Sequence, residues 1–211
     1  MCAADSANAL IEALALSFTR QDEQVFGPLD FALHAGDIAL IEGDNGSGKT
    51  TLMRILTGML HTDEGELRFD GQPYTRDATA GHVVFLGHHL GLKSDLSARE
   101  NLRFAQGLYG ARPGSDIVTA LAAVGLAGYE DEPVRRLSAG QKKRAALARL
   151  LILPARVWLL DEPYANLDRE GIALVNTLLA SHAARGGAAL VTSHGAVAFA
   201  GDEPRRIRIH P

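Results

Sequence analysis

The sequence predicts an α/β protein with a parallel sheet at its core, a small antiparallel sheet beside it, and a helical insertion. Three observations carry this prediction. Short apolar runs alternate with helical stretches, the pattern of a parallel sheet flanked by helices. A glycine-rich segment, Gly43 to Thr51, sits where one apolar run hands over to a helix. Near the N-terminus, pieces alternate polar and apolar residues, as half-exposed antiparallel strands do.

Taken in order, Ala9 to Phe18 and Leu29 to Leu33 read as strands joined by a polar turn around Arg20 to Gln24. Ile38 to Ile41 is a short buried strand, and Leu52 to Leu56 has helical character. Gly65 to Asp70 alternates, with Leu67 and Phe69 on one side. Ala80 to Leu86 reads as a strand, followed by a helix-rich stretch from Ser97 to Ala123. That stretch opens on Ser97-Ala98-Arg99-Glu100, a capping-box pattern. A second helix starts near Leu137-Ser138 and ends before Pro154, which cannot continue a helix. Val157 to Leu160 is a strongly apolar strand, and Asp168 to Ala184 a helix stopped by Gly186-Gly187. Ala188 to Thr192 is another buried strand, and Arg206 to Ile209 alternates as an edge strand should.

Composition narrows the function. The chain of 211 residues is 46% hydrophobic and 22% charged, an ordinary globular balance. A net charge of −4 with no long basic run argues against nucleic acid as the main partner. Lys142-Lys143-Arg144 is the densest basic cluster and reads as a solvated helix face. Cys2, the single cysteine, excludes a disulfide framework and a cysteine metal site. The histidines show no metal-ligand spacing, and His82, His88 and His89 fall in loop-like segments. The N-terminus lacks the basic start of a secretory signal. No apolar run reaches the length of a membrane span.

Gly43-Asp44-Asn45-Gly46-Ser47-Gly48-Lys49-Thr50-Thr51 fits the phosphate-binding loop G-x-x-x-x-G-K-[ST]. Backbone N–H groups at a helix N-terminus attract phosphate, and the glycines let the backbone turn toward it. Lys49 then supplies a cation to the β- and γ-phosphates, and Thr50 a hydroxyl ligand to Mg²⁺. Alone, this loop leaves kinases, GTPases, helicases and transport ATPases open. Val157 to Glu162 narrows the choice, because it is an apolar strand ending in two acids, the Walker B pattern. Asp161 is placed to hold Mg²⁺, and Glu162 to act as general base on an attacking water.

Leu137-Ser138-Ala139-Gly140-Gln141 resembles the LSGGQ signature of the ATP-binding cassette (ABC) ATPases, with Ala139 in place of a glycine. Thr192-Ser193-His194 matches the switch histidine of that family, and Ala165 to Asp168 its D-loop. Four ordered motifs thus resemble the ABC ATPases over nearly the whole chain. The resemblance implies a RecA-like core (about 9–87 and 156–211) with an antiparallel β subdomain, and a helical subdomain (about 88–155). It implies a homodimer of ATPase subunits with ATP held between them. In that dimer Ser138, Gly140 and Gln141 act in trans on the partner's ATP, and Asp168 crosses the interface.

Two positions depart from the family pattern. Arg20 falls where the family places an aromatic on adenine, with Phe18 close by. His88 falls where the family carries a glutamine that touches Mg²⁺ and faces the membrane subunit. The Gly87-His88 pair, Gly91-Leu92-Lys93, the signature as Leu-Ser-Ala-Gly-Gln and Trp158 resemble the ATPase subunits of the cytochrome c maturation haem exporter. That resemblance implies an integral membrane permease partner and an indirect role with haem. It also implies a peripheral position on the cytoplasmic face of the bacterial inner membrane. A motor for another exporter of unrelated substrate is the alternative.

Overall fold

A computed structural model describes residues 9–44, 46–165, 167–193 and 204–210. Strands β1 (Ala9–Arg20) and β2 (Glu23–His34) form a hairpin. Gln21 and Asp22, both at positive φ, make its turn. Two left-handed residues give a turn whose twist matches the flanking strands, so pairing runs up to Arg20 and Glu23. Both strands are therefore longer than their hydrophobic patterns predict. β4 (Glu64–Phe69) and β5 (Gln72–Pro73) complete an antiparallel sheet in the order β2-β1-β4-β5.

The second sheet is parallel, in the order β6-β7-β8-β3-β9. It contains β3 (Ile38–Glu42), β6 (Val83–Leu86), β7 (Val157–Asp161), β8 (Ala188–Thr192) and β9 (Arg205–Arg208). Every residue of β7 and β8 is buried, as expected of strands covered on both faces. Alternate residues divide between two cores. Trp158, Leu160, Ala189 and Val191 face one cluster; Val157, Leu159, Ala188 and Leu190 face the other. The first cluster takes side chains from α3 (Ala98–Tyr109), α4 (Ile117–Ala123), α5 (Ala139–Ile152) and α6 (Arg169–Ala184). The second takes α1 (Lys49–Leu56) and the inner face of the antiparallel sheet. The single-turn helix α2 (Arg76–Thr79) links the sheets.

β9 is one of the two edges, and only Ile207 within it is buried. Its arginines guard that edge, Arg206 and Arg208 both pairing with Glu42. The helix-rich stretch after β6 divides at Gly110, giving α3 and α4 instead of one long helix. Ser97 and Glu100 form the expected capping box on α3. Register decides where chemistry can happen: Ile41 and Asp161 both lie opposite Thr192. The carboxyl ends of β3, β7 and β8 are therefore level, and ligands of open α/β sheets bind at that edge.

Candidate nucleotide site

The loop after β3 wraps the N-terminus of α1. Gly46 and Gly48 have φ of 86° and 92°, in the left-handed region that glycine alone enters freely. Gly43 is needed for a different reason. A Cβ there would collide with Ser47 Oγ and the Ile209 carbonyl. No side chain caps α1 at Gly48, which leaves its first N–H groups to a ligand. Lys49 is 7% exposed; its ammonium donates to the carbonyls of Gly43 at 2.5 Å and Asp44 at 2.8 Å. Ser47 Oγ is buried with no hydrogen-bond partner among the described residues. A buried hydroxyl without a partner, next to the uncapped N-terminus of α1, suits phosphate oxygens.

Thr50 Oγ1 donates to Asp161 Oδ2 at 3.1 Å, joining residues 111 apart in sequence. Thr192 Oγ1 donates to the other carboxylate oxygen at 2.6 Å and accepts from the Glu162 N–H at 3.0 Å. In the sequence, Thr192 is the end of a strand and the first residue of the switch motif, with no role of its own. Its role as the bridge between Asp161 and Glu162 depends on the β7–β8 register. Glu162 itself has φ 51°, a conformation that persists at functional sites when the surroundings hold it.

Thr50, Asp161 and Glu162 line a cleft of about 380 Å³ with His88, Leu90, Ala139, Lys142, Lys143 and Ala165. His88 is exposed, its ring set edge-on to His89 at 5.6 Å. Asn101, 5% exposed, holds the loop behind it by bonds to Lys93 N–H and to the Lys93, Leu96 and Ser97 carbonyls. No motif marks Asn101 in the sequence, although an Asn on the first turn of a capped helix, just after a loop, is a usable signal.

Ser138 is the N-cap of α5 and forms a second capping box. Ser138 Oγ accepts from Gln141 N–H at 3.2 Å, and Gln141 Oε1 from Ser138 N–H at 2.9 Å. The Ser-x-x-Gln spacing that makes this box was present in the signature. Ser138 is exposed, and Gly140 has nothing within 4 Å of where a Cβ would stand. Asp168 caps α6 by accepting from Gly171 N–H at 2.7 Å and pairs with Arg144 at 3.5 Å. The basic triplet is not a solvated face. Successive helix positions diverge by about 100°, so Lys143 turns inward, 7% exposed, and the Arg144 side chain is 18% exposed.

Arg20 ends β1 and is exposed opposite Glu23. Phe18 instead stacks on Phe26 at 6.4 Å, and Phe26 lies against Gly48. Asn45 and His194 lie outside the described residues. The structure brings together Thr50, Asp161, Glu162 and His88 around one cleft, holds the Lys49 ammonium within the loop beside Thr50, and leaves Arg20 at a strand end.

A model of the ABC transporter family matches residues 26–165. The chain belongs to the ABC transporter family. Among curated relatives of this ABC protein, the cytochrome c biogenesis ATP-binding export protein CcmA of Xanthomonas campestris is 58% identical over 90% of this chain and 88% of the relative. CcmA of Xylella fastidiosa is 47% identical over 91% and 90%, and that of Yersinia pestis 45% over 88% and 86%. The ABC fold recurs in solved structures. An ATP-binding subunit of an ABC transporter superposes with a TM-score of 0.79 at 22% identity, covering 88% of this chain and 79% of that one. The cbiO1 protein of Clostridium perfringens, part of the ABC transporter complex cbiONQ, gives 0.75 at 23%, covering 97% and 88%.

Proposed function

We propose that this chain is the ATP-hydrolysing subunit of a haem exporter serving cytochrome c maturation. The Thr50–Asp161 contact at 3.1 Å carries the enzymatic reading. It joins the phosphate loop to the acidic strand end and sets Glu162 beside both. The identity to CcmA proteins supports the transport role.

The triphosphate of ATP binds over the N-terminus of α1, where backbone N–H groups and Lys49 neutralise it. Glu162 takes a proton from water as its oxygen attacks the γ-phosphorus, and ADP leaves. The Thr50 hydroxyl and Asp161 carboxylate are hard oxygen donors that suit Mg²⁺. Bound there, the ion would draw charge from the phosphate oxygens. Adenine stacks near Phe18, whose ring lies one aromatic away from the loop. Two copies close head to tail, Ser138 and Gly140 of one facing the ATP of the other. His88 lies on the loop facing a membrane permease. Among the described residues no helix is long and apolar enough to cross a membrane, so a separate permease would span it. The chain sits on the cytoplasmic face of the inner membrane, and its role with haem is indirect.

Glu162→Gln is the test. It keeps the shape of the side chain but cannot accept the proton. Hydrolysis should fall roughly 10²- to 10⁴-fold, about 3 to 5 kcal/mol of barrier, with ATP binding intact. A strain carrying only Glu162→Gln should fail to make holo-cytochrome c. Normal hydrolysis would remove Glu162 as base; normal cytochrome with a dead ATPase would remove the transport role.

A further inference from the structure

α5 begins with the signature at Ser138, and Lys143 lies one turn further on. Among the described residues, Lys143 is one of the few buried charged side chains. Its ammonium donates to the main-chain carbonyl of Glu162 at 3.2 Å. Burial lowers its pKa, and the nearby Glu162 and Asp161 carboxylates oppose that shift. A lysine with its stem in the protein and its head against a main-chain oxygen is a mechanical tie as well as a charge.

The carbonyl it holds belongs to the left-handed residue of the site. Residues with a Cβ seldom take φ near 51°, and they do so when neighbours over-determine them. The Glu162 peptide is gripped from two directions. On the strand side its N–H donates to Thr192 Oγ1 of β8. On the helix side its carbonyl accepts from Lys143, and also from Ala165 N–H at 3.2 Å. Lys143 thus provides the tie from α5.

We propose that Lys143 is a positioning residue for hydrolysis. It clamps the Glu162 carbonyl so that the carboxylate faces the cleft only while α5 stands in place. The proposal rests on Glu162 being the general base. Ser138 and Lys143 share the first two turns of α5, so a contact made by Ser138 acts through that helix on the Glu162 peptide of its own chain. Recognition at the signature is then linked to readiness of the base through α5, with Lys143 itself touching the Glu162 main chain and not the nucleotide.

The experiment is steady-state and single-turnover ATP hydrolysis by Lys143→Met and Lys143→Arg, each made in wild type and in Glu162→Gln. Methionine fills the stem volume without donors, and arginine keeps donors. Lys143→Met should lower kcat roughly 10- to 100-fold, the scale of a slightly misplaced catalytic group. KM for ATP should stay within about twofold. Lys143→Arg should recover most of the turnover. In the Glu162→Gln background, Lys143→Met should add no further loss, because both act on one group. If Lys143→Met does not fold, Lys143→Gln, which retains a donor, is compared with Lys143→Arg and must lie between it and full loss. Unchanged kcat overturns the proposal. So does a raised KM with kcat intact, which would make Lys143 a phosphate contact, or a multiplied loss in Glu162→Gln. An inactive Glu162→Gln beside a fully active Lys143→Met overturns the tie alone. A fully active Glu162→Gln overturns the assignment of the base itself.

Discussion

At the scale of single residues, glycines in one loop serve different ends. Gly46 has open space around a would-be Cβ but φ of 86°, whereas Gly43 is blocked by Ser47 and Ile209. Gly46→Ala should therefore cost only backbone strain, about 1 to 2 kcal/mol. Gly43→Ala must instead push Ser47 and the Ile209 carbonyl away, an overpacking cost of about 1 to 3 kcal/mol, and it should weaken ATP binding more. Thermal melts and ATP titrations on both variants check this order; equal losses would mean the crowding at Gly43 relaxes freely. Lys49→Ala should lower ATP affinity roughly 10- to 100-fold, since a charge-assisted bond to phosphate is worth about 1.5 to 3 kcal/mol.

At the scale of elements, the caps separate folding from chemistry. Ser97 caps α3 and does not line the cleft, and Ser97→Ala should cost about 1 kcal/mol in urea unfolding with hydrolysis unchanged. Ser138 does two jobs: its oxygen caps α5, and its O–H proton remains free to donate outward. Ser138→Ala should lose both. Ser138→Asp should keep the cap, since a carboxylate accepts from the same N–H, yet lose hydrolysis because it brings negative charge toward phosphate. Full ATPase activity in Ser138→Asp would reduce the signature serine to a helix cap.

At the scale of the whole molecule, two properties follow from how elements meet. His182 of α6 stacks on Trp158 of β7 with ring centroids 3.8 Å apart and planes at 7°. Burial, with Arg112 nearby, lowers its pKa to about 4 from the ordinary 6.5. The folded state thus holds the neutral ring, and the unfolded chain binds the proton first. The stability from this site is complete above pH 6.5 and drains away as pH falls toward 4, by at most about 3 kcal/mol. Trp158 is the single tryptophan, so its fluorescence reports unfolding directly. His182→Phe should flatten the acid limb between pH 6.5 and 4, and an unaltered limb would put the acid sensitivity elsewhere. The second is the proposed head-to-tail dimer, which a mixing experiment tests. Mixing Ser138→Arg with Lys49→Ala chains should rebuild at most one of two composite sites. Normal hydrolysis by Ser138→Arg alone at high dilution would exclude the sandwich.

The phosphate loop, the acidic strand end, the capped helices and the alternation of strands with helices were legible in the sequence, because each is written within a few residues. Local spacing sets which face of a helix is apolar and where glycine is required. The strand ends drifted by a few residues, since pairing beside a tight turn extends strands past their hydrophobic pattern. Asn101 and the second capping box at Ser138 were also local signals, written in single residues at a helix start. Three features needed the folded chain. Thr192 bridges Asp161 and Glu162 only through the register of β7 against β8. Glu162 holds a left-handed backbone that no neighbour in sequence demands. Lys143, charged and in a basic run, looks solvated until α5 is docked against the strand end. Sequence by itself determined what each segment is; tertiary packing decided which segments meet, because burial and register are properties of pairs of elements far apart along the chain.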